Sequence, residues 1–242
     1  MTNRVLLNNV DHGDLRVLTG YGPRFGDDIN QALVLPTEFE AVQREYPIFF
    51  RKDANDAYQA VALLGLDRDE NLFLDDGGWR ARYVPAVQQR GPFSIALQGD
   101  RSPDAAQPEL MIHVDLDHPR VSRTEGEPVF LSAGGNAPYL QHIVRLLGAV
   151  YDGLQMSAPI FAAFEELALI EPVAVEIKLD DDRSYDLPGL YTISQERLAS
   201  LEAAELLRLH RSGLLSAAQW VISSMANLQA LIDLKTRRLA GT

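Results

Sequence analysis

The sequence predicts an α+β protein, with mostly antiparallel sheet in the N-terminal two-thirds and, in the C-terminal third, helices packed together with one β-hairpin. Three observations carry this expectation. Short apolar segments separated by clusters of Gly, Pro, Asn and Asp fill the first part of the chain, as strands and their turns do. After residue 135 the apolar residues take up the spacing of a buried helix face. Within that helical region, Val173–Leu179 and Tyr185–Ile193 bracket a polar turn, as the two arms of a hairpin would.

The candidate strands, in order, are Leu15–Thr19, Gln31–Leu35, Pro47–Arg51, Tyr58–Leu64, Phe93–Leu97, Glu109–Asp115 and Pro128–Leu131. Two short helices are expected among them, near Thr37–Glu45 and Tyr83–Gln89. Beyond residue 135, Asn136 is a candidate N-cap, with Pro138 just inside the helix start, where a missing N–H costs nothing. Leu140, Val144, Leu147, Tyr151 and Leu154 then follow a 4-3-4-3 spacing and predict one buried face. A second helix is expected from Ser157-Ala158-Pro159, burying Ile160, Phe164 and Leu167, with Pro172 preventing its continuation.

The hairpin turn, Asp180-Asp181-Asp182-Arg183-Ser184, reads as a solvated tip. A calcium loop is the sharper alternative, but the alternating ligands and central Gly of such loops are missing. Ser194 and Ser200 are candidate caps of two short helices, and Gly213 suits a helix C-terminus. In the final helix, Leu214 to about Arg238, the stripe Leu214, Ala218, Val221, Met225, Leu228 and Ile232 is spaced 4-3-4-3-4. It predicts docking on the protein's own core, with a homodimer seam as the alternative. Lys235, Arg237 and Arg238 complement the dipole at its end.

The 242 residues suffice for a sizeable core, and we read residues 1–242 as a single domain, with a subdivision into 1–133 and 134–242 as the alternative. Residues 98–108 are the best linker candidate and read as one exposed loop. Lys plus Arg total 22 against 34 for Asp plus Glu, a net charge of −12 that disfavours nucleic acid and anionic membranes as partners. The chain has no cysteine, which excludes disulfides, thiolate metal sites and cysteine nucleophiles. No secretory signal fits the first residues, and the longest apolar run, Ala158 to Ile170, is interrupted by Glu165 and Glu166. A cytoplasmic protein without membrane insertion is therefore expected.

The chemical motifs are weak. Gly20-Tyr-Gly22-Pro-Arg-Phe-Gly26 has one residue too many for a dinucleotide fingerprint and no helix behind it, so it reads as a turn. Gly134-Gly135-Asn136 lacks the Lys and Ser/Thr of a phosphate loop and reads as a turn before a capped helix. In His113-Val-Asp115-Leu-Asp117-His118, a strand would put His113, Asp115 and Asp117 on one face. His113 and Asp115 form the alternative metal pair, an iron site completed by His142 or His210, although no spacing selects either. The primary expectation is no metal and no cofactor.

Aromatic and polar residues concentrate between 46 and 93. Arg51, Lys52, Asn71, Trp79, Tyr83 and Arg90 are the candidate ligand- or partner-binding residues, because Trp and Tyr beside Arg and Asn suit a pocket or an interface. They suit a core edge equally well.

Those same segments carry a family resemblance. Tyr46-Pro-Ile-Phe-Phe-Arg-Lys-Asp53, Val61-Ala-Leu-Leu-Gly-Leu66, Glu70-Asn-Leu-Phe-Leu74, Trp79, Tyr83-Val-Pro-Ala86 and Gly91-Pro-Phe93 resemble the signature blocks of the SapC family, in order. Glu125–Phe130, Leu187–Ile193 and Ser223–Leu231 continue the similarity over nearly the whole chain. The resemblance implies a bacterial setting: a surface-layer locus, with a proposed role in surface-layer protein export. Other members stand near genes for TonB-dependent receptors, tryptophan-halogenase-like flavoproteins and cupin-like oxygenases. It brings no catalytic residues and no His-x-Asp ligand pair at the strand holding His113. A peptide-transporter permease that shares the name is a membrane protein, and nothing is carried over from it.

The resulting expectation is an accessory protein that binds a protein or peptide partner, or a small metabolite. The alternative is an enzyme, or an enzyme's partner, acting on peptides or aromatic metabolites.

Overall fold

A computed structural model describes residues 3–98, 109–179 and 183–241. Most of the linker candidate 98–108, and the Asp180–Asp182 tip with its calcium alternative, lie outside the described residues.

In chain order the first strands are β1 (Arg4–Leu6), β2 (Arg16–Val17), β3 (Gln31–Val34), β4 (Ile48–Lys52), β5 (Tyr58–Leu63), β6 (Leu74–Asp75) and β7 (Gly78–Trp79). They are followed by β8 (Phe93–Gln98), β9 (Glu109–Asp115), β10 (Val121–Ser122), β11 (Glu127–Pro128), β12 (Ile170–Lys178) and β13 (Ser184–Ile193). The helices are α1 (Phe39–Val42), α2 (Ala86–Gln89), α3 (Pro138–Glu166), α4 (Gln195–Ala199), α5 (Ala203–Arg211), α6 (Leu214–Ser224) and α7 (Asn227–Ala240). Every described strand pairing is antiparallel, and the fold is α+β.

Two compact units divide the chain, one formed by residues 1–27 and 87–152 and the other by 28–86 and 153–242. The first unit holds the sheets β1-β9-β8 and β10-β2-β11. Its core gathers Leu15, Val17, Phe93, Val114, Val129 and Phe130 with Leu140, Ile143 and Leu147 of α3. The second unit is built on one sheet ordered β12-β13-β4-β5-β3. The C-terminal hairpin is thus part of this sheet, joined to it where Tyr191 pairs with Phe50.

Alternation along the strands gives that sheet two apolar faces. Ala32, Val34, Ile48, Phe50, Ala60 and Ala62 face Ile160, Phe161 and Phe164 of α3 and Ala218 and Val221 of α6. Phe49, Val61, Leu63, Val175 and Leu190 face Leu231 of α7. Burial on both faces explains why β4 and β5 read as continuous apolar runs rather than as alternating ones.

The structure corrects several helix boundaries. Residues 138–166 form one helix, not two, with Pro159 inside it. An internal proline costs about 3 kcal/mol, and burial of Ile160, Phe161 and Phe164 directly after it offsets that loss. The buried stripe on the first half of α3 is Leu140, Ile143, Leu147 and Val150, while Val144 and Leu154 of the expected stripe are exposed. The cap is Ala137, whose carbonyl accepts from the Gln141 N–H at 3.0 Å, rather than Asn136. The helix ends well before Pro172, at Glu166, and Ala168 just beyond it takes the left-handed conformation (φ 52). Pro172 sits instead in β12, the edge strand, where a missing N–H is tolerated. Ser194 caps α4 as expected, through the Arg197 N–H, but α5 begins after Glu202, not Ser200.

The final helix is also broken, into α6 and α7, and side chains from the break explain why. Ser224 accepts the Ile48 N–H at 2.9 Å. The Asn227 amide donates to the carbonyls of Gln43 and Tyr46. The expected stripe is divided accordingly: Leu214, Ala218 and Val221 pack with one sheet face, and Met225, Leu228 and Ile232 with the other.

Candidate functional site

The β4–β5 turn sets one wall of the candidate site. Asp53 accepts the N–H groups of Asn55 (2.8 Å) and Ala57 (3.0 Å), and Asp56 takes a left-handed φ of 63. Such a turn suits Asn and Asp, whose side chains bond their own backbone. It delivers Tyr58 at the start of β5. The Tyr58 ring lies 6.1 Å from Phe161 of α3, nearly parallel, and edge-on to Tyr191 at 5.2 Å. Lys52 sits over the same ring at 5.3 Å and bonds Asp56 at 3.0 Å. Burial, first of all, raises the Tyr58 pKa, so its hydroxyl stays protonated at neutral pH.

Between this turn, the end of β3 and the second half of α3 lies a groove of about 390 Å³. Leu35, Tyr58, Leu154 and Phe161 supply its apolar lining, and Asp53, Asp56 and Glu165 its carboxylates. Leu154 is 48% exposed, a large apolar side chain left on the rim. Gly153 lets α3 approach closely enough to form this wall: a Cβ there would come within 2.8 Å of both Leu35 Cδ1 and Thr37 Oγ1.

The first unit has a smaller cavity of about 230 Å³, lined by Tyr21, Gln88, Gly91, Arg120, Tyr139 and His142 among others. Arg120 and Asp27 are both buried, and the guanidinium bonds both carboxylate oxygens, at 2.7 and 3.0 Å. It also donates to the carbonyls of Leu18 and Gly20 and stacks on Phe25 at 4.4 Å. The Gly20–Gly26 segment is therefore the turn expected, and it wraps a buried ion pair. With its terminal N–H groups engaged in this way, Arg120 acts as a strut for the loop.

The aromatic block folds into a hydrogen-bonded chain. Trp79 Nε1 donates to the Tyr46 hydroxyl at 2.7 Å, and that hydroxyl donates to the Tyr83 carbonyl at 2.5 Å. The Tyr83 hydroxyl donates to Glu38 at 2.6 Å, and Glu38 also accepts the N–H groups of Leu35 and Ala86. Burial, then Glu38, pushes the Tyr83 pKa far up. Trp79 and Tyr83 are thus brought together through Tyr46. Arg51 is exposed and bonds Gln31 at 3.1 Å, and Lys52 lies at the groove through Asp56 and Tyr58. Asn71 is buried, accepting the Phe73 N–H with its side chain and an Arg238 N–H with its carbonyl. Arg90, in the first unit, donates to the Phe93 carbonyl, and burial lowers its pKa. Neither the groove nor the smaller cavity is lined by any of these six residues.

His113 and Asp115 lie on β9. Asp115 accepts the N–H groups of Asn3 and Asp117, which occupy its Oδ1. Among the described residues no three His, Cys, Asp or Glu side chains are grouped to hold a metal ion. His118, the other histidine of the run, accepts the Arg120 N–H at 3.1 Å, and burial lowers its pKa.

Residue-by-residue reading missed Tyr58, Leu154, Phe161 and Glu165 as site candidates. Spacing gave no signal for them: Leu154 continues the face of Leu140, Ile143, Leu147 and Val150, and yet it is exposed. Among the described residues, no helix is long and apolar enough to cross a membrane. No curated protein and no solved structure matches the chain. The SapC family model matches residues 7–231. With that match spanning nearly its whole length, the chain belongs to the SapC family.

Proposed function

We propose that this chain is an accessory binding protein of the cytoplasm. It takes a protein or peptide partner in the groove of the second unit, in bacterial surface-protein export or TonB-dependent nutrient uptake. The groove carries the reading: about 390 Å³ of open space with an aromatic floor and an exposed leucine on its rim, the combination of apolar anchors and polar rim that partner surfaces use. Family membership supports the setting. The buried acids Asp27 and Glu38 and the half-buried Glu70 are engaged with Arg120, Tyr83 and Lys235, an arrangement that favours a binding role over acid–base chemistry by those groups.

A photoreactive amino acid at position 154 tests this in native cells. One discrete crosslinked partner from an export or uptake machinery is expected, and it should disappear when exposed Ala158 on the same wall is changed to Arg. The same label at exposed Glu196 of α4 serves as the control. Crosslinks equal at both positions, or none at 154, would refute the groove as the binding site.

A further inference from the structure

Resting on that reading, we infer that the partner enters as an extended, basic segment that adds a strand to the free edge of β3.

Backbone chemistry comes first. Among the described residues, β3 is the last strand of its sheet and pairs only with β5, with Ala32 opposite Ala62 and Val34 opposite Ala60. The Leu64 N–H donates to the Asn30 carbonyl at 2.7 Å, while the Leu63 N–H turns the other way, to Pro47. In an antiparallel ladder, hydrogen-bonded and non-bonded pairs alternate. Asn30, Ala32 and Val34 therefore spend their backbone groups on β5, and the N–H and C=O of Gln31 and Leu33 point off the free edge. The next outward N–H, that of Leu35, is taken by Glu38 at 2.8 Å, and Pro36 follows. The open edge is thus short and sharply ended. Edges are usually blunted by Lys, Pro or a bulge, and Gln31-Ala32-Leu33-Val34 has none of these.

Side-chain chemistry names the occupant. Leu33 belongs both to this edge and to the groove wall, so a segment paired with β3 would aim alternate side chains toward the groove face. That face offers the apolar surface of Leu154 and Phe161 and the carboxylates of Asp53, Asp56 and Glu165, with Lys52 beside it bonded to Asp56. Glu165 stands one residue from the C-terminus of α3, where the helix dipole adds to the negative potential. A chain of net charge −12 steers cationic segments toward itself. The complementary ligand is an extended peptide with an apolar residue and a Lys or Arg two positions away on the same face, bound by strand addition.

The probe is fluorescein-labelled Thr-Lys-Val-Phe-Val-Lys-Thr, read by anisotropy against the full chain. Saturable binding is expected, weakened at least about tenfold by N-methylation of alternate amides and by Lys-to-Glu exchange in the peptide. Leu33→Pro should weaken it similarly while leaving the thermal midpoint nearly unchanged, because its N–H lies outside the β3–β5 ladder. No binding, or binding within about twofold for the N-methylated peptide, overturns strand addition. A dimer in sedimentation that Leu33→Pro dissociates, with no peptide bound, assigns the edge to a second copy and overturns it as well. If crosslinking at position 154 still captures a partner in either case, the groove reading stands and only the extended mode falls.

Discussion

At the residue scale, the buried ionisable groups of this protein hold structure. Asp27 and Arg120 are each at least 95% buried as side chains, where breaking a pair leaves an uncompensated charge. Asp27→Asn should cost about 3–5 kcal/mol, measured as a lower urea midpoint at unchanged slope. Tyrosines give a second test. Burial pushes the Tyr139 pKa up to about 12, and burial with Glu38 raises that of Tyr83. Both keep their protons in the fold at a pH where an unfolded tyrosine, near 10, has lost them. Lys235 acts in the same sense. Burial opposes its charge, but bonds to Asp67 and Glu70 outweigh that and raise its pKa above the ordinary lysine value. A raised folded pKa contributes stability that is complete below the unfolded value and is lost as pH rises through the folded one. The urea midpoint should therefore fall from about pH 10 upward, and phenolate absorbance should show one group titrating near 12. A midpoint that holds steady to pH 11, or Tyr139→Phe leaving the curve unchanged, would contradict this.

At the scale of elements, two glycines of α3 separate propensity from packing. A Cβ at Gly148 meets nothing within 4 Å, while at Gly153 it would reach Leu35 and Thr37 at 2.8 Å. Gly148→Ala should stabilise by up to about 1 kcal/mol, the helix preference for alanine. At Gly153 the same gain is outweighed by overpacking of about 1–3 kcal/mol, so Gly153→Ala should lower the thermal midpoint while Gly148→Ala raises it. The element scale is also where sequence reading succeeded and failed for identifiable reasons. Strands β3, β4, β5, β8 and β9 were legible because turn residues bracket their apolar runs. The single α3 was not, since a proline reads as a boundary and only the packing of Phe161 and Phe164 against the sheet overrides it. The α6–α7 break was hidden for the opposite reason. Its apolar period is unbroken, and what interrupts it is the capture of distant backbone by Ser224 and Asn227.

At the scale of the molecule, composition and ordered motif blocks determined the α+β class and the SapC family, both written along the chain as local patterns. They also marked the 46–93 region as unusual, through its aromatic and polar residues, without saying what those residues meet. Only the tertiary structure decided that Tyr46, Trp79 and Tyr83 form one hydrogen-bonded chain. It likewise decided that each of the two units draws on separated stretches of sequence, and that Tyr58 and Phe161 share a groove. The physical reason is sequence distance. Periodicity and turn chemistry act over a few residues and can be read in order, whereas the edge of a sheet and the wall of a groove are set by which remote segments pack against them.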